Sequence, residues 1–176
     1  MSEIRTVDLF AGCGGMSLGF QNAGFQIVAA FDNWTPAVKV YNENFSHPMF
    51  QLDLGNKANF AEVAKHSPDL IIGGPPCQDF SIAGHRNESL GRANLTESFA
   101  DLIGVLGPKY FVMENVPLVE KSSVYPKSYR KLKRAGYGLT SVVLDASRCG
   151  VPQKRKRFFL VGGRDFVDQQ VYSDLI

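Results

Sequence analysis

A stretch of glycines, prolines and one cysteine constrains this chain more than any other feature: Gly73-Gly74-Pro75-Pro76-Cys77-Gln78-Asp79-Phe80-Ser81. It follows the largely apolar run 69–72, which predicts a buried strand that ends at the glycines. Each proline fixes its own φ at about −65° and favours extended geometry before it, so Cys77 is predicted on a stiff loop. Ligands bind at such strand ends in α/β sheets, and a thiol held there can act as a nucleophile. The alternative is a buried structural cysteine.

Short apolar runs alternate with helical segments along the chain, which predicts a doubly wound, mostly parallel α/β sheet. The predicted strands are 4–10, 26–31, 49–52, 69–72, 109–114, 139–145 and 157–162. The predicted helices are 16–23, 35–44, 59–65, 96–106 (with Thr96 as its cap) and 128–135. Residues 82–94 have no clean period and predict a long functional loop. The 176 residues fit one domain, 1–176.

Composition excludes several classes of protein. The sequence has no apolar run of membrane-spanning length, and Met1-Ser2-Glu3-Ile4-Arg5 does not look like a signal peptide. Three cysteines without a C-x-x-C pair make a disulfide framework and a zinc site improbable, and they fit a reducing compartment.

Positive charge is concentrated in one third of the chain. From Lys121 to Arg164 there are twelve Lys or Arg residues and one acid, Asp145, whereas the rest of the chain holds seven bases and sixteen acids. Such a basic region indicates a polyanionic partner. The alternative is an ordinary solvated surface.

Three glycines, Gly12, Gly14 and Gly15, lie between the first predicted strand and the first predicted helix. There the bare backbone can approach a ligand, and the helix N-terminus offers unpaired N–H groups. Asp32 ends the second strand, where a carboxylate can hold a ribose hydroxyl pair. Asp53 follows the third strand, within reach of an adenine edge. This pattern favours a nucleoside-bearing cofactor over a turn without a ligand.

The same turn distinguishes between two nucleoside cofactors. NAD favours G-x-G-x-x-G, but Ser17 stands where the third glycine belongs. The turn opens with Asp8-Leu9-Phe10-Ala11-Gly12, which favours S-adenosyl-L-methionine (AdoMet), a cofactor without a pyrophosphate.

Further chemistry is predicted at the same sheet edge. Glu114 ends a predicted strand, where partial burial would raise its pKa and suit it as a proton donor. The alternative is a helix-capping or loop-tethering role. Arg155 and Arg157 alternate at the start of the last strand, so both are predicted on one face, toward a phosphate or a base carbonyl. Lys154 and Lys156 would point the other way.

Together these stretches resemble the DNA (cytosine-5)-methyltransferase family. Four motifs carry the resemblance, in the family's order: Asp8-Leu9-Phe10-Ala11-Gly12-Cys13-Gly14-Gly15, Gly74-Pro75-Pro76-Cys77-Gln78-Asp79-Phe80-Ser81, Glu114-Asn115-Val116 and Gln153-Lys154-Arg155-Lys156-Arg157. The resemblance implies a Rossmann-like methyltransferase fold and methylation of carbon 5 of cytosine in double-stranded DNA, with AdoMet as donor and S-adenosyl-L-homocysteine as product. It also implies a bacterial restriction-modification role in the cytoplasm, at the nucleoid.

The resemblance assigns roles to individual residues. The Cys77 thiolate would add to carbon 6 of a flipped-out cytosine, and Glu114 would donate a proton or hydrogen bond at ring nitrogen 3. Arg157 would hold the base carbonyl, and Arg155 would support the Cys77 loop. The residues implied at the cofactor are Phe10, Gly12, Gly14, Gly15, Asp32, Asn33, Asp53 and Pro75. Either Asn33 or Trp34 would flank the adenine.

The sequence departs from the family pattern after Arg157. The family's target-recognition region and last two motifs should follow, but the sequence ends at Ile176, and Asp32 stands where the family usually has Glu. We therefore expect a truncated chain, a degenerate copy, or one subunit of a split enzyme whose companion supplies target recognition. The alternatives are a module that binds AdoMet or DNA without turnover, a nicotinamide oxidoreductase, and a methyltransferase acting on RNA cytosine.

Overall fold

The computed structural model describes residues 4–76 and 95–176, which form a seven-stranded sheet flanked by helices. The strands are β1 Arg5–Leu9, β2 Gln26–Asp32, β3 Met49–Gln51, β4 Leu70–Gly73, β5 Tyr110–Asn115, β6 Gly138–Asp145 and β7 Lys156–Gly163. Their order is β3-β2-β1-β4-β5-β7-β6. Strands β1 to β5 pair in parallel, and β7 runs antiparallel to both β5 and β6.

Helices cover both faces of the sheet, which confirms the predicted doubly wound α/β class. They are α1 Gly15–Asn22, α2 Thr35–Asn44, α3 Phe60–Ala64, α4 Leu95–Leu106, α5 Tyr125–Arg134 and α6 Tyr172–Leu175. On one face α3, α4 and α5 share a buried core with the sheet. On the other face α1 and α2 pack against β2 and its neighbours. All four residues of β4 are buried, as expected of a central parallel strand.

Two helix starts differ from the sequence-based expectation. Helix α5 begins at Tyr125, three residues before the predicted start, because Pro126 occupies the first turn, where a missing N–H is tolerated. Helix α4 begins at Leu95, and Thr96 is buried inside its first turn, so the prediction that Thr96 caps this helix is wrong. The stretch after β7 forms a single short helix, α6.

Within the described residues no helix is long and apolar enough to cross a membrane. The two cysteines in that part of the chain, Cys13 and Cys149, are free thiols, and both are exposed.

Asp8 on β1 is fully buried and begins a chain of hydrogen bonds. The Ser17 hydroxyl donates to Asp8 Oδ2 at 2.6 Å, and the Tyr41 hydroxyl donates to Ser17 Oγ at 2.6 Å. His47 Nε2 lies 2.6 Å from the Tyr41 hydroxyl. Asp8 Oδ1 has no hydrogen-bond partner among the described residues. Burial outweighs the Ser17 hydrogen bonds and raises the pKa of Asp8 to about 7.

We expect Asp8→Asn to remove a pH dependence from the stability of the fold. Burial favours the neutral carboxyl, so its stabilisation is complete below the ordinary pKa of 3.8 and is lost as the pH rises through about 7. In urea unfolding, the wild-type free energy should fall by at least ~2 kcal/mol more than that of the variant between about pH 5 and about pH 8. If the free energies of unfolding of the two proteins change with pH in the same way, Asp8 is not held in its neutral form.

Candidate functional site

The candidate site lies at the carboxyl edge of the sheet. Because β1, β2, β4 and β5 are parallel neighbours, the segments that follow them meet at this edge. These segments are the glycine turn after β1, Asn33 and Trp34 after β2, and residues 74–76 after β4. The fold therefore gathers three separate stretches of sequence into one place.

The glycine turn adopts a backbone that most side chains would resist. Gly12 has φ 55°, and Gly14 has φ 91° and precedes the first residue of α1. Phe10 also has a positive φ, 55°, which is uncommon for an aromatic residue. The Gly12 N–H donates to Asp32 Oδ2 at 2.9 Å, so the carboxylate at the end of β2 holds the turn in place.

Gly14 is required for packing as well as for its backbone angle. A Cβ at Gly14 would lie 2.3 Å from the ring of Phe45 and 2.9 Å from that of Tyr41, whereas a Cβ at Gly12 would meet nothing within 4 Å. We expect Gly14→Ala to destabilise the fold by about 2–4 kcal/mol, because it adds a clash to backbone strain. Gly12→Ala is the matched control and should cost about 1–2 kcal/mol from strain alone. If both variants lose the same free energy of unfolding in urea, close packing is not the reason for glycine at position 14.

A cavity of about 200 Å³ opens beside the turn. The described residues that line it are Phe10, Asp32, Asn33, Leu52, Asp53, Leu54, Gly74, Pro76 and Leu95. Four of them were predicted at the cofactor, namely Phe10, Asp32, Asn33 and Asp53. Gly12, Gly14 and Gly15 form the adjoining turn, and Pro75 is buried while Pro76 takes the lining position.

Three apolar members of this lining were not predicted from the sequence. Leu52 and Leu54 flank Asp53, and the alternation of apolar and acidic residues after β3 was a signal for them. Leu95 comes from the start of α4, and nothing local in the sequence indicates that it reaches this edge.

The lining suits a nucleoside better than a dinucleotide. It carries two carboxylates, Asp32 and Asp53, and no Lys or Arg among its described members. Carboxylates accept hydrogen bonds from ribose hydroxyls and amino groups, and they attract a cation such as a sulfonium. They would repel a pyrophosphate, which favours basic side chains and helix N-termini. Apolar walls at Phe10 and Leu52 can flank a flat base.

Glu114 on β5 lies between the start of the Pro-Pro-Cys loop and strand β7. Its Oε1 forms an ion pair with Arg157, 2.8 Å from Nε, and its Oε2 lies 3.2 Å from where a Cβ on Gly74 would stand. Burial raises the pKa of Glu114, and the nearby Arg157 and Arg155 guanidinium groups only partly offset that effect. The geometry holds a sheltered carboxyl beside a cation.

The two arginines occupy different surroundings. Arg157 lies on β7 and is partly buried against Glu114. Arg155 precedes β7, and its side chain is exposed. Its backbone N–H donates a hydrogen bond to Asp145 Oδ1 at 3.2 Å, which holds the main chain in place. The structure therefore brings Glu114 and Arg157 into contact, and the Arg155 guanidinium also lowers the pKa of Glu114 electrostatically.

Asn115 has a structural role that was not predicted from the sequence. It is 5% exposed, its Nδ2 donates to the Pro75 carbonyl at 2.9 Å, and its Oδ1 accepts from the Val116 N–H at 2.8 Å. The end of β5 is thereby joined to the loop that leads to Cys77. Cys77 itself and the predicted loop 82–94 lie outside the described residues. Within the described ranges no three His, Cys, Asp or Glu side chains are placed to hold a metal ion.

Comparison with known proteins gives a family. The family description "C-5 cytosine-specific DNA methylase" matches residues 4–172. Type II methyltransferase M.HindV of Haemophilus influenzae is 56% identical over 160 residues, which are 90% of this chain and 53% of that protein. Type II methyltransferase M.HgiDI of Herpetosiphon aurantiacus is 56% identical over 162 residues, 92% of this chain and 52% of that protein. The chain thus spans about half the length of these relatives.

Solved structures share the fold. The crystal structure of the Schizosaccharomyces pombe Dnmt2 methyltransferase superposes with a TM-score of 0.78 at 25% identity, over 93% of this chain and 52% of that one. A DNA modification methyltransferase encoded within an Escherichia coli prophage gives a TM-score of 0.77 at 31% identity, over 92% of this chain and 47% of that one.

Proposed function

Because the chain belongs to the C-5 cytosine-specific DNA methylase family, we propose that residues 1–176 are the AdoMet-binding and catalytic domain of an enzyme that methylates carbon 5 of cytosine in DNA. One observation carries the proposal beyond the family assignment. The Glu114–Arg157 pair lies against Gly74, and Gly74 also lines the carboxylate-bearing cavity. A base and a methyl donor would therefore meet at one edge of the sheet.

The cavity residues fit AdoMet. Asp32 would hold the ribose hydroxyls, Asp53 would accept from the adenine amino group, and Phe10 and Leu52 would flank the ring. The exposed Trp34 stands beside this group at the start of α2. When bound, AdoMet supplies the electrophilic methyl group.

The chemistry of the cytosine is carried by side chains of this chain. The Cys77 thiolate forms a bond to carbon 6, the 5,6 π bond breaks, and its electron pair is shared between carbon 5 and nitrogen 3, which makes carbon 5 nucleophilic. Glu114 stabilises that charge by donating at ring nitrogen 3, and Arg157 holds the base carbonyl. After methylation, carbon 5 loses its proton, the bond to Cys77 breaks, and the 5,6 double bond reforms. The target base must leave the duplex for this to occur.

We further propose that target recognition comes from polypeptide corresponding to the other half of the relatives. The relatives are about twice as long as the matched region, so residues beyond that region are available there to read DNA sequence. This additional part is either continuous with the chain or a separate companion.

Two measurements test the proposal. Calorimetry should detect binding of S-adenosyl-L-homocysteine and none of NADH, and NADH binding alone would favour an oxidoreductase. Transfer of labelled methyl from AdoMet to duplex DNA should appear when the polypeptide encoded directly downstream is present. Binding of S-adenosyl-L-homocysteine with no transfer to DNA under that condition would instead identify a binding module.

A further inference from the structure

We propose that the solvent-facing side of α5 is an additional DNA-binding surface, which contacts phosphates of the duplex that flanks the target cytosine. This inference rests on the proposed function and extends it to a surface outside the candidate active site.

The composition of α5 is unusual for a solvated helix. Its ten residues carry five cations and no acid. Two of these cations are neutralised by neighbouring elements. Lys131 pairs with Glu97 at 2.8 Å and also with Asp101, and Lys133 pairs with Asp168 at 2.7 Å.

The other three cations of α5 are Lys127, Arg130 and Arg134, and all three are exposed. Within the described part of the chain, no acidic side chain forms an ion pair with any of them. Among the described residues, the positive charge of these three side chains is therefore not compensated by an ion pair.

Lys127, Arg130 and Arg134 lie in one row. Ser128 and Leu132 face the core, and the spacing i, i+3, i+7 of the row places it on the opposite side of the helix. Seven residues of α-helix span about 10 Å, a length that covers about three phosphates of one strand of duplex DNA. The row is therefore long enough to lie along a short run of phosphates.

The row starts, at Lys127, near the end of the sheet that holds the proposed catalytic arginines, and it runs along α5 toward the opposite end, where the helix leads into β6. Helix α5 packs over β7 through Tyr125 and Phe158, whose ring centroids are 5.4 Å apart. The connection between β6 and β7 adds the exposed Arg148 and Lys154 at the carboxyl edge. A duplex at that edge would have further cations along its flank. A membrane surface is a poorer match, because the apolar side of α5 is already buried.

The test removes the row and measures the salt dependence of DNA binding. Fluorescence anisotropy with a labelled duplex, from about 50 to about 200 mM salt, gives the slope of log Kd against log salt. The triple variant Lys127→Gln, Arg130→Gln, Arg134→Gln should lower that slope by about 2–3 and weaken binding by about tenfold or more. The control Lys39→Gln, Lys65→Gln, Lys109→Gln removes the same charge elsewhere and should leave the slope within about 0.5.

The outcomes separate this inference from the proposed function. If Lys154→Gln with Arg155→Gln lowers the slope and the α5 variant does not, the active-site edge binds DNA and the α5 surface is refuted. If the wild-type chain shows no salt-dependent duplex binding even with the downstream polypeptide present, both the α5 surface and the proposed function are refuted. Sedimentation with vesicles containing phosphatidylserine completes the test. Loss of vesicle binding in the α5 variant, with duplex binding unchanged, would assign the surface to membranes and overturn the inference.

Discussion

Replacing Cys77 by serine should lower methyl transfer on the order of 10³-fold or more, while AdoMet binding survives. A serine hydroxyl is almost fully protonated at neutral pH and is a far weaker nucleophile than a thiolate. Neighbouring structure supports the loop for this role. Pro75 is buried, and its carbonyl accepts from Asn115, so the segment that leads to Cys77 is anchored two residues before the thiol.

The chain offers a matched control for the cysteine. Cys149 is a free, exposed thiol outside the four motifs, and Cys149→Ser should leave methyl transfer within about twofold of the wild type. Methyl transfer is measured with the companion polypeptide present, and cofactor binding is measured by calorimetry on the same preparations. Near-normal transfer by the Cys77→Ser protein would remove the covalent step from the mechanism.

The position of the candidate site followed from local sequence signals. The glycine turn and the acids after β2 and β3 each stand at the end of an apolar run, and parallel pairing brings strand ends to one edge. That rule needs no knowledge of distances, and it is consistent with Asp32 and Asp53 lining one cavity. Phe10 and Asn33, which also line that cavity, were implied by the family resemblance.

Contacts that depend on strand register, or on packing between distant segments, could not be predicted from the sequence. The Glu114–Arg157 pair depends on the antiparallel register of β5 and β7, in which Glu114 pairs with Phe159. Sequence pattern gives the direction of a side chain but not that register. The bond from Asn115 to Pro75 joins residues 40 positions apart, and no local pattern encodes it. Pro126 was a sequence signal for the early start of α5, but the residue pattern of the segment favoured a later start.

Replacing Glu114 by glutamine should lower methyl transfer by about 10²–10⁴-fold, with AdoMet binding within about twofold of the wild type. Glutamine keeps the shape but cannot pass a proton to the ring, and it leaves Arg157 without its carboxylate. Glu114 is not among the described residues that line the cavity, which is why cofactor binding should change little. Glu120, exposed in the next turn, provides the control, and Glu120→Gln should keep near-normal transfer.

The pH profile distinguishes a chemical role of Glu114 from a merely structural one. Burial raises the pKa of Glu114 more than its arginine neighbours lower it, so the protonated form persists to higher pH than in an ordinary glutamate. Transfer that depends on this proton should decline as the pH rises through that raised pKa, and the residual activity of Glu114→Gln should lack that decline. If the variant keeps the wild-type pH profile and loses only thermal stability, the carboxylate serves to fix Arg157 on β7, and the proton at ring nitrogen 3 must come from another group.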